Sequence, residues 1–258
     1  MKAIYGIAVN QLHVIFSSKY LRYFLFVIAV LVFIFLSGIS SKNLENGFII
    51  SIWGNEIHNF DSIFLKIYLS LIYLVLFLII FPLGFAHHIY NLITTDYANI
   101  YLSRSISRSD LLIGTLFAFY KFYLILTFSI VFITTIYFFI ITGTVIISLL
   151  TTSLQFILLF FSSFTLMSLF IIGTNSIGIA TLLYVIYIFF ISGLFVIKTS
   201  NIFLLNVLNL FSYLLPPISQ TYENFEADKT INVIKSLTSL IFLFCITVLI
   251  YRRKEFYK

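Results

Sequence analysis

FYLILTFSIVFITTIYFFIITGTVIISLLTTSLQFILLFFSSFTLMSLFIIGTNSIGIATLLYVIYIFFISGLFVI, residues 122–197, is bounded by Lys121 and Lys198 and contains no charged side chain. A hydrocarbon core about 30 Å thick is crossed by roughly 20 apolar helical residues, so the stretch is far too long for one crossing. Backbone polar groups must stay paired inside lipid, which leaves helices joined by tight reversals, and Gly143 and the segment 173–178 mark two of them. Three spans therefore share the stretch, at about 122–141, 144–170 and 179–197. Working outward, further apolar runs at about 23–39, 67–86 and 233–251 bring the number to six. The expected fold is all-α: a single polytopic transmembrane domain covering residues 1–258.

Composition agrees, since 61% of the residues are hydrophobic and 9% charged, against roughly 25% charged in a soluble domain. With six spans placed in 258 residues, no sizeable soluble domain fits. The net charge of +6 is scattered between apolar runs with no Lys/Arg block to follow a phosphate backbone, which argues against a nucleic-acid partner. Cys245 is the only cysteine, so no internal disulfide is possible. Gly38 and Ser40 have the small-x-small look of a signal-peptide cleavage site, but the roughly twenty residues before the first run make too long a leading region, and it is read as a retained span.

Basic residues near span ends favour the cytoplasmic side. With the N-terminus inside, Lys2, Lys19, Arg22, Arg104, Arg108, Arg252, Arg253, Lys254 and Lys258 fall inside, and Lys42, Lys198, Lys229 and Lys235 outside. The expectation is a protein of the cell (cytoplasmic) membrane with both termini cytoplasmic. Lys66 and Lys121 stand where spans begin and can snorkel to the interface. The predicted spans hold no Asp or Glu, and so lack the carboxylate relay that proton-coupled carriers commonly use.

Outside the spans, Lys2, Gly6, Asn10, His13 and Ser17 share one side of a helical wheel, and Ile4, Ile7, Ala8, Leu12 and Ile15 the other, which predicts an interfacial amphipathic helix over residues 1–20. The segment 87–110 mixes Asp96, Arg104 and Arg108 with Tyr97, Tyr101 and Leu102, and suits a membrane-parallel cytoplasmic helix or a hydrated loop. Ser107 followed by Asp110 fits a helix cap, so a helix should start near Arg108 and run into the third span. Residues 201–217, NIFLLNVLNLFSYLLPP, read as an external re-entrant or surface-lying helix that ends by about Leu215, ahead of Pro216 and Pro217.

No G-x-x-x-x-G-K-[ST] loop occurs, nor H-E-x-x-H, nor G-x-S-x-G, so neither a phosphate loop nor a familiar hydrolytic or zinc site is legible, and no catalytic or metal-binding residue is assigned. Adjacent His87 and His88 point in different directions on a helix and read as rim residues. Hydroxyls such as Thr151, Thr152, Ser162, Ser163 and Thr165 suit interhelical hydrogen bonds, while Gln155, with Thr151 and Ser162, is a candidate for lining a pathway.

The stretch YLSRSISRSDLLIG at 101–114 resembles the type-2 ABC transporter permeases, which carry a leucine, a short polar link, Pro-Ile-Ser-Arg, an acid, apolar residues and Gly-Lys at this place. Ile106, Ser107, Arg108, Asp110 and Gly114 match, whereas Ser105 replaces the usual proline and Thr115 the usual lysine. The tail at 251–256 and the Leu214-Leu215-Pro216-Pro217 ending are similar to the family's as well. The resemblance implies an exporter subunit paired with a second copy or a paralogue, docked on a separate cytoplasmic ABC ATPase through Asp96, Tyr97, Tyr101, Leu102, Arg104 and Arg108. It implies that ATP and magnesium bind in that partner, with no cofactor held by this chain. A non-transporting anchor or assembly subunit of a larger membrane complex is the alternative.

Overall fold

In the computed structural model, residues 2–44, 47–56, 66–94, 106–143, 145, 147–197, 199–225 and 229–253 are described. Among the described residues six helices are long and apolar enough to cross a membrane, which fits a multi-pass membrane protein. They are α2 (Lys19–Ser37), α3 (Lys66–Leu92), α4 (Arg108–Thr142), α5 (Ile147–Thr174), α6 (Ile177–Leu194) and α9 (Lys229–Arg253). Three shorter helices accompany them: α1 (Lys2–Ser17), α7 (Ile202–Leu214) and α8 (Ile218–Glu223). Helix α5 is the core of the bundle. In its most apolar window 72% of the residues are buried, against 28–56% in the other five spans, and it packs on α3, α4, α6 and α9.

Local chemistry sets the helix ends. Ser107 caps α4 by accepting the Asp110 amide at 3.1 Å, and Asp110 places its carboxylate in the first turn, at the positive end of the helix dipole. The far end of α4 closes on Gly143, which is left-handed at φ 69°, a conformation that costs an L side chain roughly 1–2 kcal/mol. The second reversal uses Asn175 at φ 55°, followed by Ser176 as the cap of α6. Helix α7 ends at Leu215, just before the two prolines. At about 20 Å it is too short to span.

The structure departs from the all-helical reading between α2 and α3. There β1 (Ile39–Leu44), β2 (Gly47–Ile52) and β3 (Asn55–Glu56) form an antiparallel sheet with Ile39 opposite Ile52. The run GFIISI is rich in β-branched residues, and Trp53 and Gly54, both at positive φ, make the tight turn that leads into β3. The Trp53 amide donates to the Gly38 carbonyl at 2.7 Å, and its indole lies over that glycine where a Cβ would come within 2.2 Å of it. The first span accordingly ends at Ser37 instead of 39.

Pro82 lies inside α3 and has no amide hydrogen to give to the carbonyls four and five residues earlier. Those carbonyls belong to Leu78 and Phe77. They receive hydroxyls from other spans: Tyr184 of α6 donates to Leu78 at 2.8 Å, and Tyr123 of α4 to Phe77 at 3.0 Å. Ahead of the proline, over Leu69–Ile80, the helix is wide, with the Phe81 amide bonding five residues back to Leu76. The same device recurs at element ends, where Tyr137 donates to Leu36 at 2.7 Å and Tyr251 to Leu92 at 2.9 Å. Interhelical hydrogen bonds in lipid average about 0.6 kcal/mol and reach about 1.7. Tyr184→Phe should fall in the upper part of that range, because it orphans a carbonyl in an apolar interior. Introducing Pro82→Ala first supplies an amide in register, so Tyr184→Phe should then cost less; denaturation midpoints of the four proteins in mixed micelles give the coupling.

Candidate functional site

Polar groups are buried at three levels of the bundle. The first is the seam where α5 meets α9. Helix α9 buries Asn232, Ser236, Ser239, Leu243 and Thr247, a three-and-four spacing of mostly small polar residues that lets helices approach closely. On α5, Gln155 is 2% exposed, and among the described residues neither its Nε2 nor its Oε1 has a partner. Thr152, one turn away, has an unbonded hydroxyl too, as does Ser236 on α9. A buried amide left unpaired is costly, so such a group marks a place where water or a polar solute is expected to complete the bonding. Ser162 is also buried, but its hydroxyl is satisfied by the Leu159 carbonyl at 3.0 Å. Thr151 lies on the exposed side of α5 and bonds Ser148 O of its own helix at 3.1 Å. Of the three pathway candidates, the structure thus buries Gln155 and Ser162 and turns Thr151 outward.

The second level is a cap formed by α8. Ser219 bonds Ser192 of α6 at 2.8 Å, Tyr222 bonds Ser70 of α3, and Tyr187 of α6 donates to Pro216 O at 2.5 Å. Lys235 of α9 reaches the same cap: its Nζ donates to Gln220 Oε1 at 2.9 Å and lies 5.1 Å from the centre of the Tyr213 ring. Lys235, counted among the outside basic residues in the charge balance, is 3% exposed. Its helix starts at Lys229, four residues earlier than the hydropathy run suggests, and α7 and α8 pack against that helix. No sequence signal separated it from a surface lysine, although its spacing of three from Asn232 put it beside the polar stripe.

The third level is the opposite end of α9. Tyr251 ties that end to the last turn of α3 through Leu92, and Arg108, the first residue of α4, lies within electrostatic reach of Tyr251. The ends of three spans therefore meet around the entrance to α4. Asp96, Tyr97, Tyr101, Leu102 and Arg104 lie outside the described residues. The chain enters and leaves that segment at this same end of the bundle, from α3 and into α4.

Comparison with protein families, characterised proteins and solved structures finds no match to this chain.

The chemistry the three levels offer is binding and positioning. Among the described residues no three of His, Cys, Asp and Glu come together as a metal-ligand group. His87 and His88 bring their ring centres within 4.0 Å at a tilt of 40°, and His87 is spent partly on Tyr20, at 4.6 Å, and on Gly84 O, at 3.1 Å. Helices α5 and α9 hold buried, unpaired neutral donors and acceptors, the cap a buried cation, and the α4 entrance a cluster of helix ends.

Proposed function

We propose that this chain is the transmembrane permease subunit of an ATP-binding-cassette exporter, working with a second copy or a paralogue and driven by a separate ATPase. The observation that carries the reading is the entrance to α4. The stretch 101–114, which resembles the coupling region of type-2 permeases, leads into it where the ends of α3, α4 and α9 converge. A motor bound to that segment would pull on three spans at once. In this reading the protein sits in the cell membrane with both termini cytoplasmic, α1 lies at the inner interface, the ATPase docks around residues 96–104, and α7 is the external re-entrant piece. ATP and magnesium belong to the ATPase, since the sequence carries no phosphate loop. Gln155 and the hydroxyls beside it form the polar part of the translocation route.

The test is recovery of an ATPase subunit with the tagged chain from its native membrane, and a rise in that subunit's ATP turnover when the two are reconstituted. Arg104→Glu and Arg108→Glu should each reduce recovery several-fold without shifting the denaturation midpoint of the chain, because charge reversal at a docking surface costs contact and leaves the bundle packed. Equal recovery with both variants would remove the docking assignment. Recovery of other membrane proteins, with no ATPase among them, would favour the anchoring role.

A further inference from the structure

An open groove of about 660 Å3 runs between α1, α4 and α5, within the range of about 300–1,000 Å3 usual for small-ligand sites. Its walls are apolar, built from Tyr5 and Val9 of α1, Phe117 and Leu124 of α4, and Phe161 of α5. Tyr5, Val9 and Phe117 are each 45–69% exposed, so the groove is open along its length. Lys121 is the single charged side chain among the described residues of its lining. It is exposed and has no hydrogen-bond or ion-pair partner among the described residues.

The height of Lys121 can be measured along α4. From Lys121 to the turn at Gly143 the helix rises by about 30 Å, the thickness of the hydrocarbon core. With Gly143 at one surface, Lys121 stands at the opposite boundary, at the level of lipid headgroups. A cation at headgroup height beside an apolar channel suits an amphiphile with one negative head and a hydrocarbon tail. A peptide suits it poorly. Its backbone amides and carbonyls would find few partners on these walls, because of the two hydroxyls in the lining that of Tyr120 is already bonded to Thr165 at 2.5 Å, leaving only that of the exposed Tyr5.

We propose that this groove is a binding site for an anionic phospholipid of the surrounding bilayer, with the phosphate on Lys121 and an acyl chain along Val9, Phe117 and Phe161. The site stands apart from the exporter reading, since it needs neither the ATPase nor the pathway. By bridging α1 to α4, the lipid would hold the amphipathic helix in place.

The test uses the full chain, delipidated in dodecyl maltoside, and follows the denaturation midpoint on titration with dioleoyl phosphatidylglycerol, with dioleoyl phosphatidylcholine, or with glycerol 3-phosphate. The expected result is a saturable rise with phosphatidylglycerol, a much weaker response to phosphatidylcholine and none to glycerol 3-phosphate. Lys121→Gln should weaken phosphatidylglycerol binding about fivefold, the worth of one basic residue at an anionic surface, while Lys121→Arg should preserve it. Val9→Trp, which fills the groove and keeps the charge, should abolish the response. Equal responses to the two lipids, or an unchanged response in Lys121→Gln, would overturn the proposal. A response to glycerol 3-phosphate matching that to the lipid would make the site one for free phosphate and overturn the lipid assignment.

Discussion

Phe81→Ala should lower the stability of the bundle by about 3 kcal/mol, the low end of the usual range for losing a buried phenylalanine. Phe81 is fully buried in α3 at the junction of four spans. Its ring lies 5.4 Å from Phe24 of α2, 4.1 Å from Tyr123 and 5.5 Å from Phe122 of α4, and 5.9 Å from Phe164 of α5. The reference state explains why the low end applies. Separated helices still sit in lipid, so the transfer from water that dominates in soluble cores contributes little, and the loss comes from dispersion contacts around an unfilled cavity. Phe81→Leu should cost clearly less, since it keeps much of the volume. Phe33→Ala on α2, where the ring is 73% exposed, should stay within about 0.5 kcal/mol. Denaturation in mixed micelles measures all three, and similar losses at Phe81 and Phe33 would show that the aromatic junction is not the core.

That contrast explains what could be read from the sequence. In water an apolar residue predicts burial, but in a membrane both the lipid face and the helix interface are apolar, so Phe33 and Phe81 look alike on paper. The spans and reversals were legible because they depend on backbone needs that sequence marks directly: Gly143 at a left-handed turn, Ser107 and Asp110 at a helix start, Pro216 after a helix end. Polar residues inside spans were informative for the same reason, and Gln155 stood out before any coordinates did. What pairs them was not legible. The tyrosine hydroxyls that answer Pro82 come from Tyr123 and Tyr184, 41 and 102 positions away in the chain by their numbers, and only the packing of α4 and α6 against α3 brings them there. The burial of Lys235 was not legible, because charge counting treats a lysine near a span end as reaching water, whereas α8 takes its ammonium on Gln220. The sheet after α2 was not legible because β2 spans only six residues, too few for an alternating period to stand out beside the long apolar runs.

Gly114→Leu should release α1 from α4. A Cβ at Gly114 would stand 2.7 Å from Ile7 Cγ2, 2.8 Å from Ile7 Cβ and 3.0 Å from the Ile4 carbonyl oxygen. The last of these is backbone, so a rotamer change in Ile7 cannot make enough room, and the whole helix has to move. Overpacking of this kind costs about 1–3 kcal/mol. Helix α1 has an alternative that a core helix lacks. Its packed face is Ile7, Gln11, Leu12 and Ile15, and its exposed face carries Gly6, Asn10, His13 and Ser17, so a detached α1 can lay its apolar side on lipid. The strain should therefore appear as displacement more than as unfolding of the spans. With the exposed Cys245 replaced by serine, a cysteine introduced by Ile15→Cys, at a position fully buried in the native packing, should react slowly with a bulky maleimide, and markedly faster once Gly114→Leu is added. Gly84→Leu is the control, because a Cβ there meets nothing within 4 Å, and it should leave the labelling rate unchanged. Adding Ile7→Ala to Gly114→Leu removes the Cγ2 contact, the shortest of the three, and should restore part of the protection, the remainder being set by the Cβ at position 7 and the Ile4 carbonyl. If Gly114→Leu labelled no faster than Gly84→Leu, α1 would be held by something other than its close approach to this glycine.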